Sequence, residues 1–241
     1  MQLTLTSFVV GLALGQLVAG PLSDGLGRRR PLVIGLAGCV IASLLCAFAV
    51  TVPELIFLRL LQGLTGAAAI VIARAIVRDL YTGADAARFF SLLVLVNGLG
   101  PILAPVIGAQ VMRVTSWRGV FFVLATIGAV LLVASFLGLG ETLPRERRRT
   151  GGAPDTLRTF ARLLRDRRFV GYALAGGFGY AGLFAYIGAS PFVLQVIYSL
   201  SPQGFSLVFA INALGIMVTS QTGARVVHRA GPEACSESAW P

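Results

Sequence analysis

Charge is confined to short clusters along this chain, and long uncharged runs separate them. Residues 1–23, 31–53, 89–112, 119–140 and 169–224 contain no Asp, Glu, Lys or Arg. Each run meets or exceeds the roughly 20 residues a helix needs to cross the hydrocarbon core of a bilayer. The last has room for two crossings with a turn between them. Residues 55–77 form a further apolar stretch, interrupted by Arg59 and Arg74. The pattern predicts an all-α membrane protein with about seven transmembrane helices.

Composition agrees. Apolar residues make up 56% of the 241 residues, charged residues 12%, and mean hydropathy is +0.83, whereas soluble domains carry about 25% charged residues. The net charge of +10 would suggest nucleic acid in a soluble protein, but its placement explains it otherwise. Every basic residue is Arg, and there is no Lys. With the loops taken alternately, Arg28–Arg30, Arg78, Arg88, the nine Arg of residues 145–168, Arg225 and Arg229 share one side. Only Arg113 and Arg118 fall on the other. This is the positive-inside bias, so the Arg-rich side is expected in the cytoplasm, with the N-terminus outside and the C-terminus inside. The first run lacks a basic n-region and exceeds a usual signal h-region, so no cleavage is expected. Cys39, Cys46 and Cys235 have no metal-ligand spacing, and Cys39 and Cys46 read as packing within one apolar helix. No cofactor, metal, nucleic-acid partner or enzymatic activity is expected.

Residues 141–168 hold thirteen charges together with Pro144, Gly151, Gly152 and Pro154, the composition of a linker. It divides an N-terminal bundle of five spans (1–140) from the start of a second bundle with two (169–229). Residues 230–241 are a polar tail that reads as aberrant, and the unequal halves suggest an incomplete carrier. Within the linker Leu157, Phe160, Leu163 and Leu164 fall on one helical face and Arg158, Arg162 and Arg165 on the other. A helix lying in the headgroup layer and a solvated connector both fit this pattern.

Where the first span ends, the chain reads Gly20-Pro21-Leu22-Ser23-Asp24-Gly25-Leu26-Gly27-Arg28-Arg29-Arg30. Gly20, Gly25 and Gly27 permit a tight reversal, and the Arg triplet anchors the turn to the cytoplasmic face. The pattern Gly-x-x-x-Asp-x-x-Gly-Arg-Arg resembles the loop signature of the major facilitator superfamily. The resemblance implies that Asp24, with Arg28 and Arg29, belongs to a charge network gating the cytoplasmic side. Gly25 stands where family members commonly carry a basic residue, which weakens that network.

One span later, Arg59-Leu60-Leu61-Gln62-Gly63-Leu64-Thr65-Gly66 resembles the family's fourth-helix motif, implying a role for Arg59 in proton coupling. Snorkelling of Arg59 to the interface is the alternative. Gln62, one turn on, points toward the same face. Arg74 and Arg78 share a face at the cytoplasmic end of that helix; they read either as partners for Asp24 or as interfacial anchors. In the next span Gly100-Pro101-Ile102-Leu103-Ala104-Pro105-Val106-Ile107-Gly108 predicts a bend, because each proline removes a backbone hydrogen bond. It resembles the fifth-helix antiporter signature, associated with efflux.

The aromatic, glycine-rich run containing Phe178, Tyr180, Phe184 and Tyr186, taken with Gly15-Gln16-Leu17, resembles the bicyclomycin-resistance (Bcr/CflA) branch of drug exporters. The resemblance implies a monomeric multidrug:proton antiporter of the bacterial inner membrane, with small amphipathic or cationic drugs and protons as substrates. The spans correspond to helices two to eight of twelve, so the first family helix is expected to be absent and the chain to be a truncated, inactive fragment. The aromatics either line a drug cavity or face lipid, whereas Gln16, Gln62, Asn97 and Asn212 are expected along an aqueous path. No acidic residue lies deep in a span. Two other readings are a sugar or metabolite facilitator, which the proline-rich motif disfavours, and a seven-span receptor or rhodopsin. The missing Lys excludes a retinal Schiff base.

Overall fold

The computed structural model describes residues 2–148, 153–201, 203–215 and 218–219. Its helices are α1 (Gln2–Leu26), α2 (Arg29–Phe48), α3 (Val52–Leu80), α4 (Gly83–Val114), α5 (Trp117–Gly138), α6 (Ala153–Arg165), α7 (Arg167–Pro191) and α8 (Gln203–Gly215). A π-helical turn, Phe192–Ile197, continues α7. There is no strand among the described residues.

Local chemistry sets the boundaries. Gly27 adopts φ +92°, a conformation open to glycine, and breaks α1 from α2. Gly20 and Gly25 remain helical, so only one of the three expected hinge glycines acts as one. Thr51 and Glu54 form a capping box at the start of α3, where the Glu54 N–H donates to Thr51 Oγ1 at 3.3 Å. Asp166 ends α6 and caps α7 by accepting from the Arg168 N–H at 2.9 Å.

α1, α2, α3, α5 and the segment formed by α7 with its π-turn are long and apolar enough to cross a membrane. The 32-residue α4 contains the uncharged run 89–112. α8 has only 13 described residues, short for a crossing. The expected turn within residues 169–224 is found at 198–201, where Ser199 has φ 52°. The polar tail lies outside the described residues.

α3 is the axis of the bundle, with α1 along one flank, α2 along another, and α5 behind α2. In lipid, apolar side chains gain little by meeting one another, so close backbone approach and interhelical hydrogen bonds do much of the work. α1 presents Gly11, Gly15, Ala19 and Ser23, four residues apart, as its buried face. A Cβ on Gly11 would run into the Leu60 carbonyl, one on Gly15 into Leu64 and Ala67, and one on Gly63 into Phe8. The Ser7 hydroxyl adds a hydrogen bond to the Ile56 carbonyl at 2.5 Å. Ala19, Leu32, Leu36, Ala68 and Ile72 form the main core where α1, α2 and α3 meet. The opposite faces carry exposed Leu14, Val18, Ile34, Ile41 and Leu131, the composition of surfaces in contact with acyl chains.

Candidate functional site

At one end of the bundle the turn after α1 is locked by a single buried guanidinium. Arg28 Nε donates to Asp79 Oδ2 at 2.7 Å, and Nη1 donates to Asp24 Oδ1 at 2.6 Å and Ser23 Oγ at 2.8 Å. Its side chain is 7% exposed. Its backbone N–H donates to Glu141 Oε1 at 2.7 Å, and Glu141 in turn pairs with Arg148 at 3.5 Å. Arg28 therefore joins the ends of α1 and α3 to the start of α2 and, through Glu141, to the chain leaving α5.

Burial works against charge on Arg28, but the hydrogen bonds and fields of Asp79 and Asp24 outweigh it and raise its pKa. Burial also opposes the Glu141 carboxylate. Hydrogen bonds from the Arg28, Leu143 and Arg29 N–H groups, with the charge of Arg148, hold it below the ordinary range. Glu141 acts as a remote cap on the N-terminus of α2, where the helix dipole favours an anion. Asp24 sits at the C-terminal end of α1, where the dipole opposes a carboxylate, so Arg28 is its stabilising partner. Arg29 turns away, donating to the Phe136 carbonyl at 2.6 Å and lying over the Phe136 ring.

This geometry changes the expected pairing. Arg74 and Arg78 are exposed on α3, and neither forms an ion pair among the described residues. The cross-bundle partner is Asp79, and it meets Arg28 rather than Asp24. The reason is rotational: Asp79 is 100° round the helix from Arg78, which brings its side chain to the inner face.

The second polar centre lies inside a span. Arg59 Nη1 donates to Gln62 Oε1, Gln62 Nε2 donates to Ser43 Oγ, and Ser43 donates to the Cys39 carbonyl, each at 2.7 Å. The guanidinium carbon stands 4.5 Å from the Phe8 ring centroid and 5.7 Å from that of Phe121. Arg59 thus engages Gln62, one turn deeper, and two aromatic faces. Gln62 and Ser43 are buried at 3% and 1% exposure. No carboxylate reaches Arg59 among the described residues.

The other singled-out residues are not gathered into a cavity. α4 is helical through Gly100–Gly108, and the side chains of Pro101 and Pro105 lie outside those described. Ala104 is exposed, and a Cβ on Gly100 or Gly108 would meet nothing. Asn97 is exposed and returns its amide to the Leu93 carbonyl. Phe178 and Tyr180 are 74% and 66% exposed, Phe184 is half-buried, and Asn212 is exposed. Tyr186 stacks on Phe209 with centroids 5.4 Å apart. Gln16 instead lines a groove at the α1 end of the bundle, beside Asp24 and Phe160. Among the described residues these positions do not share one cavity: Tyr186 meets α8, Gln16 the groove beside α6, and Phe178, Tyr180 and Asn97 are exposed. A separate cleft of about 760 Å³ opens between the start of α1 and the end of α7, lined by Leu3, Leu5, Ile187 and Phe192 with Gln2 and Gln195.

Sequence reasoning did not single out Glu141, Ser23, Ser43, Phe8 or Phe121. Ser43 stands out as a hydroxyl in an apolar run, and Glu141 is the first charge after the fifth span. Phe8 and Phe121 carry no distinguishing signal.

The sequence profile of the Major Facilitator Superfamily matches residues 1–235. The chain is 42% identical to the uncharacterised MFS-type transporter YdgK of Bacillus subtilis (strain 168), over 96% of this chain and 57% of that protein. It is 31% identical to a bicyclomycin resistance protein homologue of Haemophilus influenzae, over 97% and 58%. It thus spans a little over half the length of these curated relatives. Its fold matches the crystal structure of the human organic anion transporter MFSD10 with TM-score 0.65 at 21% identity, covering 88% of this chain and 53% of that one. With its helical bundle, its spanning helices and this profile match, the chain is a multi-pass membrane protein that belongs to the Major Facilitator Superfamily.

Proposed function

We propose that this chain forms the part of a multidrug:proton antiporter that carries its cytoplasmic gate and its proton-coupling arginine. The observation that carries the reading is Arg59, held inside a span by Gln62 and two aromatic rings with no acid against it among the described residues. A half-buried cation held within a span in this way favours the ionised form of any carboxylate brought to it. Proton release and uptake at that carboxylate then follow its approach and withdrawal. The Arg28 cluster is the gate in this reading, because its hydrogen bonds tie four chain segments together at one end. The bicyclomycin-resistance name of the Haemophilus influenzae relative supports efflux of small amphipathic or cationic compounds. The Arg distribution supports a bacterial inner-membrane orientation with the Arg28 end cytoplasmic and the N-terminus outside.

A chimera tests the proposal. Residues 1–229 replace the matching segment of the Haemophilus influenzae relative, expressed in cells lacking their own exporters. The expected result is uncoupler-sensitive reduction in accumulation of a fluorescent cationic dye, lost in Arg59→Ala without loss of membrane insertion. An inserted chimera that leaves dye accumulation at the empty-vector level, or an Arg59→Ala variant that still exports, overturns it.

A further inference from the structure

The linker helix α6 has a sharply two-sided surface that transport leaves unused. Its 13 residues extend about 20 Å, too short to cross a bilayer. At 100° per residue Leu157, Phe160 and Leu164 share one face and Arg158, Arg162 and Arg165 lie opposite. All three arginines are exposed. Arg158 makes only a 3.6 Å, water-exposed pair with Asp155, the kind that contributes little.

The middle of the apolar face turns toward α1. Phe160 is half-buried and lines a groove of about 320 Å³ with Gln16, Leu17 and Pro21 of α1. Leu157 and Leu164, one turn to either side, are 67% and 72% exposed. The helix therefore lies at the level of the last turns of α1, and Asp166 joins it directly to the membrane-crossing α7. These two leucines have little protein cover among the described residues.

We infer that α6 is a docking element for an anionic leaflet. Leu157 and Leu164 enter the acyl boundary, and Arg158, Arg162 and Arg165 bind lipid phosphates. Charge complementarity selects the occupant: residues 155–168 carry five Arg against two Asp. Each juxtamembrane arginine shifts docking on an anionic surface by about fivefold, so three shift it on the order of a hundredfold. The inference rests on the chain crossing the membrane and stands independently of which substrate is moved.

The test uses the full chain with its cysteines replaced by alanine, spin-labelled singly at 157, 158, 162 or 164. It is reconstituted in vesicles of phosphatidylcholine with or without phosphatidylglycerol. In anionic vesicles, labels at 157 and 164 should be more accessible to oxygen than to a water-soluble nickel chelate, with the reverse at 158 and 162. The contrast should collapse in neutral vesicles and in the triple variant Arg158→Gln, Arg162→Gln, Arg165→Gln. Nickel access at 157 and 164 makes α6 a solvated connector and overturns the inference. So does closure to both reagents, which would mean a protein cover, or equal depth in neutral vesicles. If the cysteine-free chain fails to insert, Leu164→Trp in the native background reads the same depth by brominated-lipid quenching, with the parent chain's emission subtracted. Quenching in anionic vesicles supports docking, and its absence there refutes it.

Discussion

Replacing Arg28 by Gln should loosen the whole Arg28 end of the bundle. The guanidinium pairs with both Asp24 and Asp79, at 2.6 and 2.7 Å, while 7% exposed, so its removal leaves two carboxylates without their shared counter-charge. Breaking a buried ion pair from one side costs about 3–5 kcal/mol. Here the acids retain some water, with side-chain exposures of 35% and 17%, and a cost of about 2–3 kcal/mol is expected after that discount. Arg28→Lys keeps the charge but cannot donate from two separate nitrogens to both acids, and should recover part of the loss. The double variant Arg28→Gln, Asp79→Asn should be more stable than Arg28→Gln alone, because it removes one orphaned charge. The assay is SDS-induced unfolding of the purified full chain in mixed micelles at neutral pH, with all variants in one double-mutant cycle. Loss of less than about 0.5 kcal/mol in Arg28→Gln, or a double variant less stable than the single, would refute the view that Arg28 holds the cluster together.

Two further outcomes follow from packing and charge distribution. Gly15→Ala should destabilise the bundle by about 1–3 kcal/mol in the same assay, since its Cβ would meet Leu64 and Ala67. Gly108→Ala, whose Cβ meets nothing, should be neutral or slightly stabilising, and equal effects would contradict the close α1–α3 approach. Cysteine introduced at Ser201 should react with an impermeant thiol reagent in intact cells and cysteine at Thr150 should not; the reverse pattern would invert the proposed orientation.

The spans were legible in the chain because hydropathy is a local property, and a run of 20 apolar residues needs no partner to be recognised. Gly27 was legible among the reversal glycines, and so was the Arg59–Gln62 pair, because three residues on a helix bring side chains to one face whatever surrounds them. The two-sided α6 was readable for the same reason. Partner choice was not. Asp24 meets Arg28 and not Arg78 because the inner face of α3 at its end is set by how α3 rotates against α1, and that rotation depends on Gly11, Gly15 and Gly63 lying against facing backbone. Glu141 reaches α2 from a position 113 residues away, and Ser43 meets Gln62, and Phe8 meets Arg59, across helix boundaries. The aromatic residues of α7 show the converse: the family resemblance left them between a drug cavity and lipid, and which of the two they meet depends on whether a second surface closes over them. Sequence periodicity determines which residues share one helix face. Only the tertiary structure decides what that face meets, because contact depends on the relative rotation and depth of two helices, and neither is encoded in the repeat of either one.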